Sequence, residues 1–264
     1  MPTTSSTPWW QVQQLPVNQG QHFRLGPLNL YVQRKAQQWI LAHEYNKDEK
    51  SVQATQTEIS LLPVHLTGQR FMFSQSPAKF RLVPRLLDRP VVVKTLQSVN
   101  LPPNEQTTFY ISSPIVLQVT LQQPELVLQE IMLQRLSDTW FGPSTQVGEL
   151  CYADKTHARY SKQELPARSH RAVTPVTIVN KSPQMLTIDK LSIPLPFLSL
   201  YSLPDGSLWT DPVTLQHEGS QALAHFATSK LSAADAPGAI AVSTPRIKAE
   251  KHSLFRAFAD IFTD

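Results

Sequence analysis

Cys151 is the single cysteine among the 264 residues, and it is the first side chain to consider as a nucleophile. A thiolate nucleophile needs a nearby base and an orienting group, for which His157 and His170 are the candidates. Their spacing along the chain does not indicate that they meet Cys151. A small thiol between Leu150 and Tyr152 is also typical of a buried strand position. We therefore expect Cys151 to lie in the core, and we assign no catalytic residue.

Metal and phosphate chemistry lacks a supporting motif. Metal sites draw on histidines at characteristic spacings, and no such pattern connects the later histidines, which are His157, His170, His217, His225 and His252. The 8 glycines form neither a dinucleotide-binding motif nor a phosphate loop. Acidic residues form no local pair suited to hydrolysis. We expect no cofactor, no metal and no enzymatic activity.

A cluster of aromatic and polar residues near the middle of the chain is a candidate recognition surface. Its members are Trp140, Phe141, Gly142, Glu149, Cys151, Tyr152, His170 and Arg171. Exposed aromatic side chains are common anchors of protein interfaces. The alternative that we favour is structural: Trp140 and Phe141 fill a contact between two domains, and Gly142 allows the turn.

The same cluster allows a different functional class. His170 and Arg171 are expected to pair with a carboxylate such as Glu149 or Asp154. If a deep pocket with converging polar groups lay between Trp140 and Tyr152 and near His170, the protein would bind a ligand or carbohydrate, or hydrolyse one. This is the alternative to an interaction role.

Positive charge is concentrated in the first half of the chain. The net charge is +4, and Asp88 is the single acidic residue between Arg70 and Lys94. Arg81, Arg85 and Arg89 are candidate contacts for phosphate or anionic lipid. The alternative, which we favour, is that they lie on the water-facing sides of strands. Nucleic-acid binding is not favoured.

Short alternating segments predict an all-β fold. Apolar residues alternate with polar ones in residues 28–32 and 39–43, on either side of a polar link, which is typical of a β-hairpin. Residues 126–136 are also predicted as strand. Pro-containing turns recur about every ten residues, as in β-sandwiches. We predict a disordered lead at 1–8, then two consecutive β-sandwich domains at 9–136 and 137–245.

The second domain is expected to be immunoglobulin-like. Residues 176–179 and 186–193 alternate around a turn at 180–183 and are predicted to form a strand pair. A further hairpin is predicted over residues 198–210, where Gly206 supplies the positive φ that a tight turn requires.

The last residues, 246–264, predict an amphipathic helix. Its apolar stripe follows helical spacing and consists of Leu254, Phe255, Phe258, Ile261 and Phe262. Such a helix either packs on its own domain or docks onto a partner protein or a membrane surface. Packing is the commoner of the two.

Several short motifs together resemble a prokaryotic family catalogued as a domain of unknown function. They are DRPVVV at 88–93, SDTWFG at 137–142, GELCYA at 148–153, HRAV at 170–173, LY at 200–201, LWT at 208–210 and RAF at 256–258. Members of this family are often encoded beside small-conductance mechanosensitive channel proteins. The resemblance therefore implies an accessory protein that binds a membrane channel.

The sequence contains no recognisable secretory signal and no apolar run long enough to span a bilayer. We therefore expect a cytoplasmic protein with, at most, peripheral contact at the inner membrane. The expected function is a non-catalytic interaction or accessory role.

Overall fold

A computed structural model describes residues 8–46, 54–142, 144, 146–166, 168–219, 223–248 and 254–258. Apart from two three-residue 3-10 helices, Lys162–Glu164 and Leu195–Phe197, the regular structure of these residues is β. The predicted all-β class is confirmed. The strands are β1 (Gln13–Gln14), β2 (Gly20–Leu25), β3 (Leu28–Lys35), β4 (Gln38–Tyr45), β5 (Thr55–Ile59), β6 (Gln69–Met72), β7 (Lys79–Leu86), β8 (Val91–Leu101), β9 (Gln106–Gln122), β10 (Leu126–Met132), β11 (Ser137–Phe141), β12 (Glu149–Ala158), β13 (Arg171–Asn180), β14 (Leu186–Ile193), β15 (Leu200–Ser202), β16 (Leu208–Thr210), β17 (Val213–His217), β18 (Leu223–Thr228), β19 (Ile240–Ser243) and β20 (Leu254–Arg256).

The chain forms two compact units that alternate along the sequence. Unit 1 comprises Met1–Arg85, Ile115–Gln134 and Arg168–His170, and unit 2 comprises Leu86–Pro114, Arg135–Ala167 and Arg171–Asp264. The sequence analysis instead predicts one boundary, between residues 136 and 137. The difference arises because residues 86–114 have their strand partners in the second half of the chain.

Unit 1 contains a five-stranded antiparallel sheet in the order β5-β2-β3-β4-β6. The predicted hairpin over residues 28–43 is confirmed as β3 and β4. Lys35 pairs with Gln38, so the turn is reduced to Ala36 and Gln37. Alternation placed the apolar side chains correctly, since Leu28, Leu30 and Val32 are all buried.

A second group of strands completes unit 1. It contains β1, β7, β10 and the part of β9 from Ile115 onward. The ring of Phe80 on β7 lies 5.3 Å from that of Trp39 and 6.2 Å from that of Phe23, both on the five-stranded sheet. These aromatic contacts join two layers, as in a β-sandwich. Of the strand predicted over residues 126–136, the part Leu126–Met132 is confirmed as β10.

Unit 2 contains a mixed four-stranded sheet in the order β11-β12-β8-β14. β12 runs parallel to β8, and the other neighbours are antiparallel. A second group of strands is centred on β13, which pairs with residues 106–114 of β9 and, in parallel, with β16 and β17. Phe226 contributes to the core, 5.7 Å from Phe197 and 6.2 Å from Phe255 between ring centroids.

The hairpin predicted over residues 198–210 is confirmed as β15 and β16. Gly206 has φ +80°, which a residue with a side chain rarely adopts. Asp205 reinforces the turn because its Oδ1 accepts a hydrogen bond from the Ser207 amide at 2.9 Å.

β13 and β14 do not pair with each other, so the predicted strand pair is wrong. β14 instead pairs with β8. Asn180 directs the chain: its Nδ2 donates to the carbonyl oxygens of Leu101 at 2.9 Å and Gln184 at 2.8 Å. These bonds hold the 180–184 turn against the end of β8. The immunoglobulin-like topology stays a prediction.

The predicted C-terminal helix is wrong for the described residues. Leu254–Arg256 is strand β20, which pairs antiparallel with β18, and Phe258 forms a bridge with Leu191. Pairing with the edge of β18 outweighed the helical spacing. The hydrogen bonds between β18 and β20 satisfy backbone groups of both strands, and the same pairing places Phe255 in the core. Earlier in the segment, the amides of Arg246 and Ile247 both donate to the Pro196 carbonyl. Ile261 and Phe262 lie outside the described residues.

Among the residues that the structure describes, no helix is long and apolar enough to cross a membrane.

Candidate functional site

The hairpin formed by β11 and β12 carries the aromatic residues singled out in the sequence. Trp140 pairs with Leu150, and Asp138 pairs with Tyr152. Directly opposed residues of an antiparallel pair share one face of the sheet. These four side chains therefore lie on one face, and Cys151 lies on the other.

Exposed apolar side chains cluster at this hairpin. Trp140 is 44% exposed, Leu150 44% and Val147 51%. We call these three side chains the hairpin patch. Single exposed apolar residues are ordinary, whereas contiguous apolar patches often mark interaction sites.

The Trp140 ring is held in place although it is exposed. Its Nε1–H donates to the Ser144 carbonyl at 2.7 Å. The ring also lies against Gly148, where an added Cβ would come within 2.5 Å of the indole nitrogen. Ordering this large side chain before binding reduces the entropy that a complex would lose.

Gly142 and Phe141 shape the same turn from its other side. Gly142 has φ +154°, and an added Cβ would collide with the Val147 carbonyl. Phe141 is buried, with 5% of its surface exposed. The turn thus buries Phe141 and leaves the preceding residue, Trp140, exposed to solvent.

A polar cluster borders the hairpin patch. The Tyr152 hydroxyl donates to Asp88 Oδ1 at 2.9 Å, and the Arg89 guanidinium lies 5.0 Å from the centre of the Tyr152 ring. Arg89 also donates to Asp138 Oδ1 at 3.1 Å. Burial, and then Asp88, raise the pKa of Tyr152 to about 12. The phenol is therefore neutral at physiological pH and acts as a donor.

Cys151 has the properties of a core thiol. It is fully buried, and its Sγ lies 3.9 Å from Ser192 Oγ. Burial first, and then the charge of Glu149, raise its pKa to about 12. Because the thiolate is the reactive form, this environment opposes nucleophilic chemistry. Burial also raises the pKa of Glu149, against the lowering effect of Arg256.

Arg171 and Asp154 form a buried ion pair, which is one of the two pairings that the sequence left open for Arg171. Arg171 Nη2 donates to Asp154 Oδ2, and both side chains are almost completely buried. Arg171 Nε donates to Ser112 Oγ at 2.8 Å, and the Thr156 hydroxyl donates to Asp154 Oδ2 at 3.0 Å. The network connects β9, β12 and β13, and its polar atoms are engaged with one another.

His170 is not part of the hairpin site. It is 1% exposed, it belongs to unit 1, and its ring lies against Gly26 in the turn between β2 and β3. A Cβ at Gly26 would overlap the imidazole, and φ there is +59°. His170 therefore fills space beside a tight turn.

The candidate anion contacts belong to different units, and Arg81 and Arg89 have acidic neighbours. Arg81 Nη2 lies 2.9 Å from Glu125 Oε1 in unit 1. Arg85 also belongs to unit 1, whereas Arg89 belongs to unit 2 and is paired with Asp138. These pairs reduce the positive potential that an anion would experience.

The candidate docking residues of the C-terminal segment are buried in unit 2 where they are described. Phe255 is 8% exposed and Phe258 2%. The Phe258 ring packs edge-on against His217, with the centroids 5.6 Å apart. Their burial supports the packing alternative. For Leu254 the backbone alone is described, in β20.

Within the described ranges, no group of three or more His, Cys, Asp or Glu side chains is placed to hold a metal ion. Residue type and spacing indicate Trp140 but not Val147, Leu150, Asp88 or Asp138. Alternation along β12 could have identified Leu150. It is next to the buried Cys151 in sequence and therefore lies on the opposite face of the sheet. Val147 could not be found in this way, because its exposure depends on the turn that Gly142 and Gly148 allow.

The sheets and the hairpin define a predominantly β protein with sandwich-like layers and an aromatic surface bordered by charges. The chain belongs to the family described as Protein of unknown function (DUF432), whose model matches residues 9–263. No curated protein and no solved structure matches it.

Proposed function

We propose that the protein is a non-catalytic interaction protein that binds a protein partner through the hairpin patch. The observation that carries this proposal is the exposed but immobilised ring of Trp140, beside Val147 and Leu150. Tryptophan, tyrosine and arginine dominate binding hot spots, and a polar border commonly surrounds them. Here Arg89, Asp88 and Asp138 supply that border.

The nearby polar residues favour this role over ligand hydrolysis. Cys151 is held as a neutral thiol, and Asp154 is engaged in the ion pair with Arg171. Both groups are enclosed in the fold, whereas Trp140, Val147 and Leu150 present apolar surface to solvent.

The partner that we propose is a small-conductance mechanosensitive channel, bound from the cytoplasmic side of the inner membrane. Support for this partner comes from the family resemblance. The protein would then be an accessory of the channel, with unit 2 providing the contact.

Affinity purification from native membranes tests the proposal. The wild-type chain should recover the channel protein, identified by mass spectrometry, and Trp140→Ala should reduce the recovery about tenfold or more, as expected for a hot-spot residue. Met185→Ala is the matched control, because Met185 is an apolar residue of unit 2 with 55% exposure. Equal recovery with Trp140→Ala, or no membrane protein with the wild-type chain, would contradict the proposal.

A further inference from the structure

The outer edge of β11 offers a second element of recognition beside the hairpin patch. β11 is the terminal strand of its sheet, and in the described part of the chain its one neighbour is β12. Alternate backbone N–H and C=O groups of a terminal strand point away from the sheet and can pair with an added strand. Five residues at about 3.4 Å each give an edge of roughly 17 Å.

The edge lacks three of the features that commonly block strand addition. Proteins commonly block exposed edges with proline, lysine or a β-bulge. The segment Ser137–Phe141 contains neither proline nor lysine, and its register with β12 is unbroken. The rigid Trp140 ring stands directly beside this regular edge.

Charge distinguishes between possible occupants. The cluster next to the edge holds Asp88 and Asp138 against Arg89, which leaves one net negative charge. A second copy of the chain would bring two such clusters together, and facing like charges are unfavourable. A basic partner would be attracted instead.

We infer that β11 receives an extended basic segment of the partner as an added strand, an inference that rests on the proposed function of the hairpin patch. Side chains two positions apart lie on the same face of a strand. Trp140 and Asp138 have this spacing, so the segment carries an apolar residue against Trp140 and a Lys or Arg two positions away. Cytoplasmic segments of membrane proteins are rich in Lys and Arg.

Synthetic peptides test the mode of binding directly. The probe is a peptide with blocked ends and the sequence Gly-Ser-Lys-Thr-Val-Thr-Lys-Ser-Gly, and the charge control replaces both Lys with Glu. Binding to the full chain is measured by fluorescence anisotropy. We expect the basic peptide to bind at least about tenfold more tightly than the acidic one, with an affinity that falls as salt rises.

Backbone methylation then separates strand addition from simple charge attraction. N–H groups of an added strand point alternately toward and away from the sheet. One probe is N-methylated at both Thr residues, and a second at Val and both Lys. One of the two should lose binding while the other retains it. The inference would be overturned if both methylated probes bound as tightly as the unmethylated peptide, or if the basic peptide did not bind.

Protein variants locate the binding site on β11. Asp138→Asn should weaken binding of the basic peptide about five- to tenfold and reduce its salt dependence. Asp189→Asn removes an exposed carboxylate from β14 in the same sheet and should leave binding unchanged. Equal effects of the two substitutions would argue against β11.

The two proposals can fail separately. If channel recovery depends on Trp140 but the peptide results are negative, the partner binds the hairpin patch without adding a strand. If recovery does not depend on Trp140, the proposed function itself fails.

Discussion

At the residue scale, the burial of each titratable side chain determines which of its protonation states is favoured. Cys151, Tyr152 and His217 lie in environments that favour their neutral forms. Desolvation is the largest cause for all three, because burial disfavours whichever form is charged. Trp140 shows the opposite situation, since a large apolar ring stays in water.

The buried thiol should be unreactive until the protein unfolds. At pH 8, iodoacetamide should label Cys151 in native protein far more slowly than in protein unfolded by guanidinium, because the pKa of about 12 leaves very little thiolate. Mass spectrometry of timed samples measures the labelled fraction. Similar labelling rates in the two states would show that Cys151 is accessible and ionised.

Acid should weaken the packing of His217 against Phe258. Burial lowers the pKa of His217, so its neutral form is favoured in the folded state. The resulting stability is present above the ordinary pKa of about 6.5 and is lost as pH falls through the lower folded value. The urea midpoint of the wild-type chain should therefore decrease from pH 7.5 to pH 5.

His217→Leu should make this decrease smaller, since Leu does not titrate. His225→Gln is the control, because the His225 side chain is exposed and its replacement disturbs no buried contact of this kind. An unchanged slope in His217→Leu would assign the acid sensitivity to other groups.

At the element scale, strands are held together by a few buried polar side chains as well as by their ladders. Arg171 and Asp154 connect three strands of unit 2, and Asn180 holds the turn that sends the chain to β14. An unpaired buried charge is costly. Each network should therefore tolerate the loss of one member poorly.

Breaking the buried ion pair should be more costly than breaking an exposed one. Asp154→Asn should lower the free energy of unfolding by about 3–5 kcal/mol, because Arg171 stays charged and buried without its carboxylate partner. Glu125→Gln, which removes the exposed pair with Arg81, should cost about 0–1 kcal/mol. Urea unfolding followed by circular dichroism measures both changes.

The double variant Asp154→Asn with Arg171→Met should be less destabilised than the sum of its single changes, since neither charge is then left alone. Strict additivity would show that the two side chains do not interact.

Local patterns in the sequence predicted local structure well. The hairpins over 28–43 and 198–210 follow from alternation and, in the second, from Gly206. Pairing between strands distant in sequence could not be predicted in this way. The residues of β14 are as compatible with β13 as with β8. The pairing with β8 depends on contacts distant in sequence, such as that of Asn180 with Leu101. The same limit applies to β20, whose helical spacing was outweighed by the edge of β18.

The candidate site shows a similar division. Trp140 was identified from its residue type, whereas charge left Glu149 and Asp154 open as partners of Arg171, and the structure shows Asp154. The hairpin patch as a surface required the register that places Leu150 opposite Trp140.

At the scale of the whole molecule, the main feature is the alternation of the two units along the chain. Unit 1 uses three separate segments, the last of which is Arg168–His170. Residues 86–114 lie between the first two segments but belong to unit 2. Contacts far apart in sequence therefore dominate both cores, and such topologies fold slowly.

A fragment of residues 9–136 should not fold into a stable domain. It contains β8 and the first part of β9 without β12, β13 and β14, which pair with them. Two-dimensional NMR should show poorly dispersed amide signals for the fragment and dispersed ones for the full chain. A cooperative thermal transition in the fragment would contradict this expectation and support a sequential domain.

The three residues Arg168–His170 also set an order of events during synthesis. Unit 1 is complete only after the ribosome has made more than half of the protein, when His170 can reach the turn at Gly26. Until then, the strands of unit 1 lack the His170 side chain that lies against Gly26. A nascent chain arrested before residue 168 should thus be bound by chaperones and cleaved by proteases more readily than a chain arrested shortly after residue 168 has left the ribosome.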